Sequence, residues 1–190
     1  MNMFLMNSGA IAAIVVVAVI VIILAWYIGV LNKIRTMLVK VDESESGIDV
    51  ALTKRFDLLT KMVSTVKGYA KHESETLTKV IGMRQPAKGA SVTEKADFAN
   101  KLNAASREIN VVVERYPDLK ANQNFLGLQS SISEVEEQLQ AARRVYNANV
   151  SSYNQFIVVF PNSIVAGGKY TKRDFFEADE AKKADVDIQF

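Results

Sequence analysis

The 190-residue chain has no cysteine and a single histidine, His72. Without Cys there is no disulfide framework, no thiolate metal site and no cysteine nucleophile. One His excludes every multi-histidine metal site and removes most catalytic triads. There are only three prolines, Pro86, Pro117 and Pro161, and each bounds a helical stretch. Neither sign of charge is in excess: 23 Lys and Arg face 21 Asp and Glu, for a formal net charge of +2. No overall basic field therefore points to nucleic acid. No stretch alternates apolar and polar residues between hairpin turns, so no sheet is expected.

What the chain does have is unevenly placed. "GAIAAIVVVAVIVIILAWYIGVL", Gly9 to Leu31, holds no charged side chain. A helix of this length crosses a hydrocarbon core of ~30 Å. Its many β-branched residues do not argue for a strand, because in lipid the backbone must satisfy itself. Trp26 and Tyr27 lie where an interfacial aromatic belt belongs. A cleaved signal peptide needs a basic n-region, a shorter core and an A-x-A-like site, and none is present. Lys33, Arg35 and Lys40 follow the span and no Lys or Arg precedes it. The positive-inside rule then puts the N-terminus outside and the remainder in the cytoplasm. These three cations are expected to meet anionic headgroups.

The apolar stripe continues beyond the membrane through Leu31, Ile34, Leu38 and Val41. "DESESG", Asp42 to Gly47, weakens it, and Ser46 to Asp49 reads as a capping box. One helix runs through, or it restarts at Ser46. The stripe resumes through Ile48, Leu52, Phe56, Leu59, Val63, Val66, Ala70, Leu77 and Ile81, before Pro86. Unbroken, anchor and segment make a rod of ~110 Å. Ser91 or Thr93 starts a second helix, with Ser91 to Glu94 reading as a capping box, along Phe98, Leu102, Ala105, Ile109, Val112 and Tyr116, which Pro117 ends. Asn122 caps the third. Its seam is Leu128, Ile132, Val135, Leu139, Ala142, Tyr146, Asn149, Tyr153, Phe156 and Phe160, alternating 4 and 3 until Pro161.

The fold expected is all-α: a transmembrane helix, then an antiparallel, coiled-coil-like bundle of three long helices, with room for a short fourth. The divisions are a short extracytoplasmic N-terminus (1–8), the transmembrane helix (9–31), a cytoplasmic bundle (32–168) and a C-terminal tail (169–190). The second helix is about half the length of its neighbours. Part of the groove between the first and third is then open, or filled by the tail or another subunit.

Chemical motifs fail one by one. His72 has no histidine partner and is expected to be exposed or hydrogen-bonded. Glu134, Glu136 and Glu137 flank the seam residues Val135 and Leu139 and read as a solvated face. "AGGKYTK", Ala166 to Lys172, has Tyr170 where a P-loop needs Ser or Thr and Ser163 where it needs Gly, so it reads as a turn. Arg143 and Arg144 read as packed stems with solvated heads. In "YNANVSSYN", Tyr146 and Tyr153 occupy successive layers of one seam with Asn149 between them. Asn147 and Asn154 sit at its edge. These five residues read as a polar-lined structural seam, or as a groove for a partner or ligand.

Three blocks together carry a family resemblance. They are "SGIDVALTKRFDLLTKMVSTVKGYAKHE" (Ser46 to Glu73), "VVVERYPDLKANQNFLGLQ" (Val111 to Gln129) and "ARRVYNANVSSYNQFIVVFPNSIVAG" (Ala142 to Gly167), with "FFEAD" after it. In order and spacing the chain resembles the LemA family from near Val41 to its C-terminus. It departs at Glu45, where the family usually has Trp, and at Thr60, where it often has Pro. The resemblance implies a membrane-anchored helical bundle with no established catalytic residues or cofactor, in a family associated with envelope organisation. Together the readings predict a non-enzymatic scaffold or adaptor of the bacterial inner membrane that self-associates through its bundle. Membrane shaping or lipid binding is the alternative, and an enzyme or enzyme regulator comes last. No catalytic residue, metal site or cofactor is expected. The expected partners are membrane lipids, further copies of the chain and other envelope membrane proteins.

Overall fold

The computed structural model describes residues 8–70, 82–87 and 89–177. Among them there is no strand, and five helices occur: α1 (Ser8–Tyr69), α2 (Val92–Val113), α3 (Pro117–Lys120), α4 (Gln123–Val158) and α5 (Asn162–Ala166). His72, Leu77 and Ile81 lie outside the described residues. The chain forms two compact units, one from residues 1–41 with 151–173 and one from residues 42–150 with 174–190.

Local chemistry sets the helix ends. α1 does not restart at Ser46: the Ser46 hydroxyl donates back to the Asp42 carbonyl at 3.0 Å instead of capping a new helix. The propensity cost of a Ser or Gly is below about 1 kcal/mol. It is outweighed by fully buried Val41 and Ile48 on either side. α1 thus has 62 residues, about 93 Å at 1.5 Å each, rather than the longer rod expected. The capping box at α2 forms as read, with Ser91 N–H on Glu94 Oε2 at 2.8 Å and Glu94 N–H on Ser91 Oγ at 3.2 Å. Pro117 opens α3, at a position where its missing N–H costs nothing. Asn122 Oδ1 accepts from the N–H groups of Asn124 and Phe125 and caps α4. Gly167, at φ 41°, closes α5 in the left-handed region, and a Cβ there meets the Ile164 carbonyl at 3.1 Å.

In the second unit α1, α2 and α4 share a core. Leu59, Met62 and Val66 come from α1, Leu102 and Ile109 from α2, and Phe125, Val135 and Leu139 from α4, all buried. Tyr69 meets Asn122 and Arg55 meets Glu136, so α1 and α4 are antiparallel. Helix α2 departs from the expected arrangement. Lys95 meets Glu45 and Asp49, and Asn103 meets Arg55, so α1 and α2 run parallel. The physical reason is the connection from Ala70 to Ser91. At up to ~3.3 Å per residue it is ample to return past the stretch of α1 it must retrace. By Gln85 the chain is already back beside Ser46–Thr53. A first helix running straight on to Pro86 is incompatible with that.

In the first unit Val30, Ile34 and Val41 of α1 are buried, together with Tyr153 and Ile157 of α4 and Val165 of α5. Along α4 the buried line passes through Tyr146, Val150, Tyr153 and Ile157. Two successive steps of four, Ala142 to Tyr146 to Val150, shift this line by one position from the expected seam. Asn149 and Phe156 therefore lie half-buried at the edge of the seam, and Phe160 is 76% exposed.

Candidate functional site

The two Tyr-Asn pairs of α4 perform one task twice. In the second unit the Tyr146 hydroxyl donates to the Asp174 carbonyl at 2.9 Å. Asn147 Nδ2 donates to the Phe176 carbonyl at 3.0 Å, and Phe176 N–H returns a bond to Asn147 Oδ1 at 2.8 Å. In the first unit the Tyr153 hydroxyl donates to the Thr171 carbonyl at 3.0 Å. Asn154 Nδ2 reaches the Arg173 carbonyl at 2.9 Å, and Arg173 N–H returns to Asn154 Oδ1 at 2.8 Å. Each asparagine thus pairs with both backbone groups of one tail residue, as a strand neighbour would. Both tyrosine rings are about 99% covered, so their hydroxyls need these partners. Burial raises the Tyr153 phenol above its ordinary value, with Arg173 pulling the other way and Tyr170 adding to the rise. In each unit the Tyr-Asn pair is bonded to the tail residues of that same unit.

Two buried charge clusters lie in the second unit. Arg55, 4% exposed, reaches Asn103 Oδ1 through Nη2 and pairs with Glu136 Oε2 through Nη1, both at 2.8 Å. The Arg143 guanidinium lies 4.6 Å over the Phe176 ring. Burial lowers the pKa of both arginines while Glu136 opposes it, and for Arg143 the Arg55 charge lowers it further. Guanidinium stays charged regardless, so the cluster carries no acid–base chemistry. Glu136 is therefore an ion-pair partner, 32% exposed, and not part of a solvated face. The Arg143 head packs on an aromatic ring, whereas Arg144 is exposed as expected. The second cluster is Lys95, 3% exposed, between Glu45 Oε1 at 2.7 Å and Asp49 Oδ1 at 2.7 Å.

These features sit inside a recognisable sequence pattern. The LemA family profile matches residues 44–190. The chain belongs to the LemA family. It is also 30% identical over 168 residues to Protein LemA of Metamycoplasma hominis, covering 85% of this chain and 75% of that protein.

The first departure from the LemA pattern now has a physical account. Glu45, where the resemblance leads one to expect Trp, is the partner of Lys95 across the α1–α2 contact. The second, Thr60, donates to the Phe56 carbonyl at 2.9 Å within the uninterrupted α1. Burial alone pulls the Lys95 amine down. Hydrogen bonds to Asp49 and Glu45, and then their charges, outweigh it and hold the amine above its ordinary value. Lys95 lines a cleft of about 350 Å³ with Asp49, Leu52, Gln85, Pro86 and Phe98. An amine held protonated is neither a nucleophile nor a Schiff-base former.

Lys95 and Arg55 escape the sequence reading because charged side chains are ordinarily assigned to solvent. The signal was present: Lys95 precedes Phe98, Leu102 and Ala105 at spacing 3, 4, 3. Arg55 completes the line Ile48, Leu52, Leu59, Met62 at 4, 3, 4, 3. Of the membrane-interface residues, Trp26 and Tyr27 are 37% and 44% exposed, and Lys33, Arg35 and Lys40 are exposed. α1 is long and apolar enough to cross a membrane, and none of its most apolar stretch is buried. Among the described residues no group of three or more potential metal ligands occurs.

Proposed function

We propose that this LemA-family protein is a non-enzymatic scaffold or adaptor, anchored by α1 in the bacterial inner membrane, with its bundle in the cytoplasm and self-associating. The observation that carries the reading is α1 itself. One uninterrupted helix supplies both the apolar segment, whose side chains from Ile11 to Leu24 are about half exposed, and the first helix of the bundle core. Three polar groups of the second unit are turned inward: Lys95 on two carboxylates, Arg55 on Glu136, Asn147 on backbone. Such groups hold a shape rather than await a substrate. Because the tail is bonded to the Tyr-Asn pair in each unit, self-association falls to other surfaces. Val111, Leu126 and Val145 offer exposed apolar side chains in the second unit. Crosslinking in native membranes tests the reading. Discrete homo-oligomers or one specific partner are expected, and a strictly monomeric, partnerless protein would refute it.

A lipid-binding or membrane-shaping role is favoured by exposed Lys33, Arg35 and Lys40 directly after the span. Purified protein should then alter liposome shape, and less so once the three are replaced by Gln. An enzyme or enzyme regulator has the least support.

A further inference from the structure

The corner where α4 ends and α5 begins is unusually apolar for a surface. Val158, Val159, Phe160 and Ile164 are 52%, 55%, 76% and 66% exposed within seven residues of chain. An aromatic and three branched aliphatics left open at one corner mark a contact site. The corner belongs to the same compact unit as the apolar segment of α1. Within that unit Val30 is 7% and Ile34 0% exposed, whereas Ile28 is 56% exposed. Val30 lies in the uncharged run ending at Leu31, one turn after Trp26 and Tyr27. The unit therefore covers α1 at the level where a span leaves the hydrocarbon.

Charge points the same way. Residues 1–41 and 151–173 contain Lys33, Arg35, Lys40, Lys169, Lys172 and Arg173 and no Asp or Glu. The remainder of the chain holds seventeen basic residues against twenty-one acidic ones. The left-handed turn at Gly167 and Gly168 brings the chain out of α5 straight into three of these cations, all exposed. An apolar tip backed by cations is the pattern of interfacial insertion into an anionic surface. A second copy of this surface would bring six cations against six.

We propose that the α4–α5 corner is a second membrane contact: Phe160 and Ile164, with Val158 and Val159, enter the interfacial layer of the bilayer that α1 spans, and Lys169, Lys172 and Arg173 hold anionic headgroups. The inference rests on the reading of α1 as a span, and the experiment separates the two.

Because the chain has no cysteine, single labels are clean. Fluorophores are attached to Ile20→Cys, Phe160→Cys, Ile164→Cys and, as a control in the second unit, Leu126→Cys, in the full chain. Each is reconstituted in vesicles of phosphatidylcholine with phosphatidylglycerol and quenched by aqueous iodide or by nitroxide lipids. Labels at 160 and 164 should be quenched by the lipid nitroxide and shielded from iodide relative to 126, with Ile20→Cys deeper still. Replacing Lys169, Lys172 and Arg173 by Gln should weaken the contact roughly fivefold per charge, and only in anionic vesicles. Labels at 160 and 164 as open to iodide as 126, with position 20 in lipid, overturn the inference and leave the anchor standing. Position 20 in water overturns both. Dipolar coupling between copies spin-labelled at 160, without lipid contact, assigns the corner to self-association and also overturns it.

Discussion

Asn147→Ala removes a two-bond clamp and leaves the rest of the seam in place. Both bonds join one side-chain amide to one residue, Phe176, at 3.0 and 2.8 Å. A protein hydrogen bond contributes about 0.5–1.5 kcal/mol net, so the clamp contributes about 1–3 kcal/mol. The Phe176 ring is 4% exposed under Arg143 and keeps its packing, and the Tyr146 hydroxyl keeps the Asp174 carbonyl. The loss is therefore local. Native-state hydrogen exchange reads it directly, because the Phe176 amide is itself the donor to Asn147. Its protection should fall by roughly 5- to 150-fold, the equivalent of those 1–3 kcal/mol. The Arg173 amide, held by Asn154, should change far less. Asn154→Ala should produce the converse pattern, with a smaller effect because that clamp is more exposed. Unchanged protection of Phe176 in Asn147→Ala refutes the reasoning. So does an equal loss at Arg173 and Phe176 in either variant.

Four further outcomes follow from the buried charges and the phenol. Lys95→Met leaves Glu45 and Asp49 facing each other without a cation. Discounted for the partial exposure of Asp49, the cost is about 1–3 kcal/mol in chemical denaturation, and Glu45→Trp in the same chain should recover part of it. Since the Lys95 amine is raised in the folded state, its contribution is complete below the ordinary value near ~10.4 and is lost as pH rises through the higher folded value. The stability gap between wild type and Lys95→Met should be flat up to about pH 10 and shrink above it. Glu136→Gln leaves the Arg55 and Arg143 charges without their carboxylate and should cost about 1–3 kcal/mol, more than Arg143→Met, in the same denaturation assay. The Tyr153 phenol, raised by burial, should ionise later than an ordinary tyrosine near ~10 in an absorbance titration. Tyr153→Phe should delete that late step.

The helices, the Ser91–Glu94 and Asn122 caps and most buried positions were legible because each depends on neighbours three or four residues away. Direction was not. Nothing local distinguishes a second helix that runs back along the first from one that runs beside it in parallel. That depends on where the chain from Ala70 to Ser91 travels, and the decisive contacts, Lys95 with Asp49 and Arg55 with Asn103, join residues 46 and 48 apart. The charged seam residues were hidden for a related reason. Lys95 and Arg55 look solvated until the carboxylate or amide opposite each is known. Glu45 was visible as an anomaly, and its meaning lay across the α1–α2 contact. Tyr146 and Tyr153 are both buried. Their hydroxyl partners were not foreseeable, because the Asp174 and Thr171 carbonyls are backbone and carry no residue signature.

That last point bears on what the repeated Tyr-Asn motif selects. An asparagine side chain is chemically a peptide group, so pairing it with both backbone groups of one residue reads chain direction and register, not side-chain identity. Seven residues of helix rise about 10.5 Å, and three residues of non-helical chain reach about 10 Å. Tyr-Asn recurs every seven positions and its tail partners every three. A motif that reads backbone constrains little in the tail beyond Phe176, whose ring is buried. It leaves Lys172, Arg173 and Phe175 with exposed side chains. The tail is thus fixed by its backbone while most of its side chains face outward. The seam read as either structural or a partner groove holds one segment of this chain in place for whatever meets its outer side.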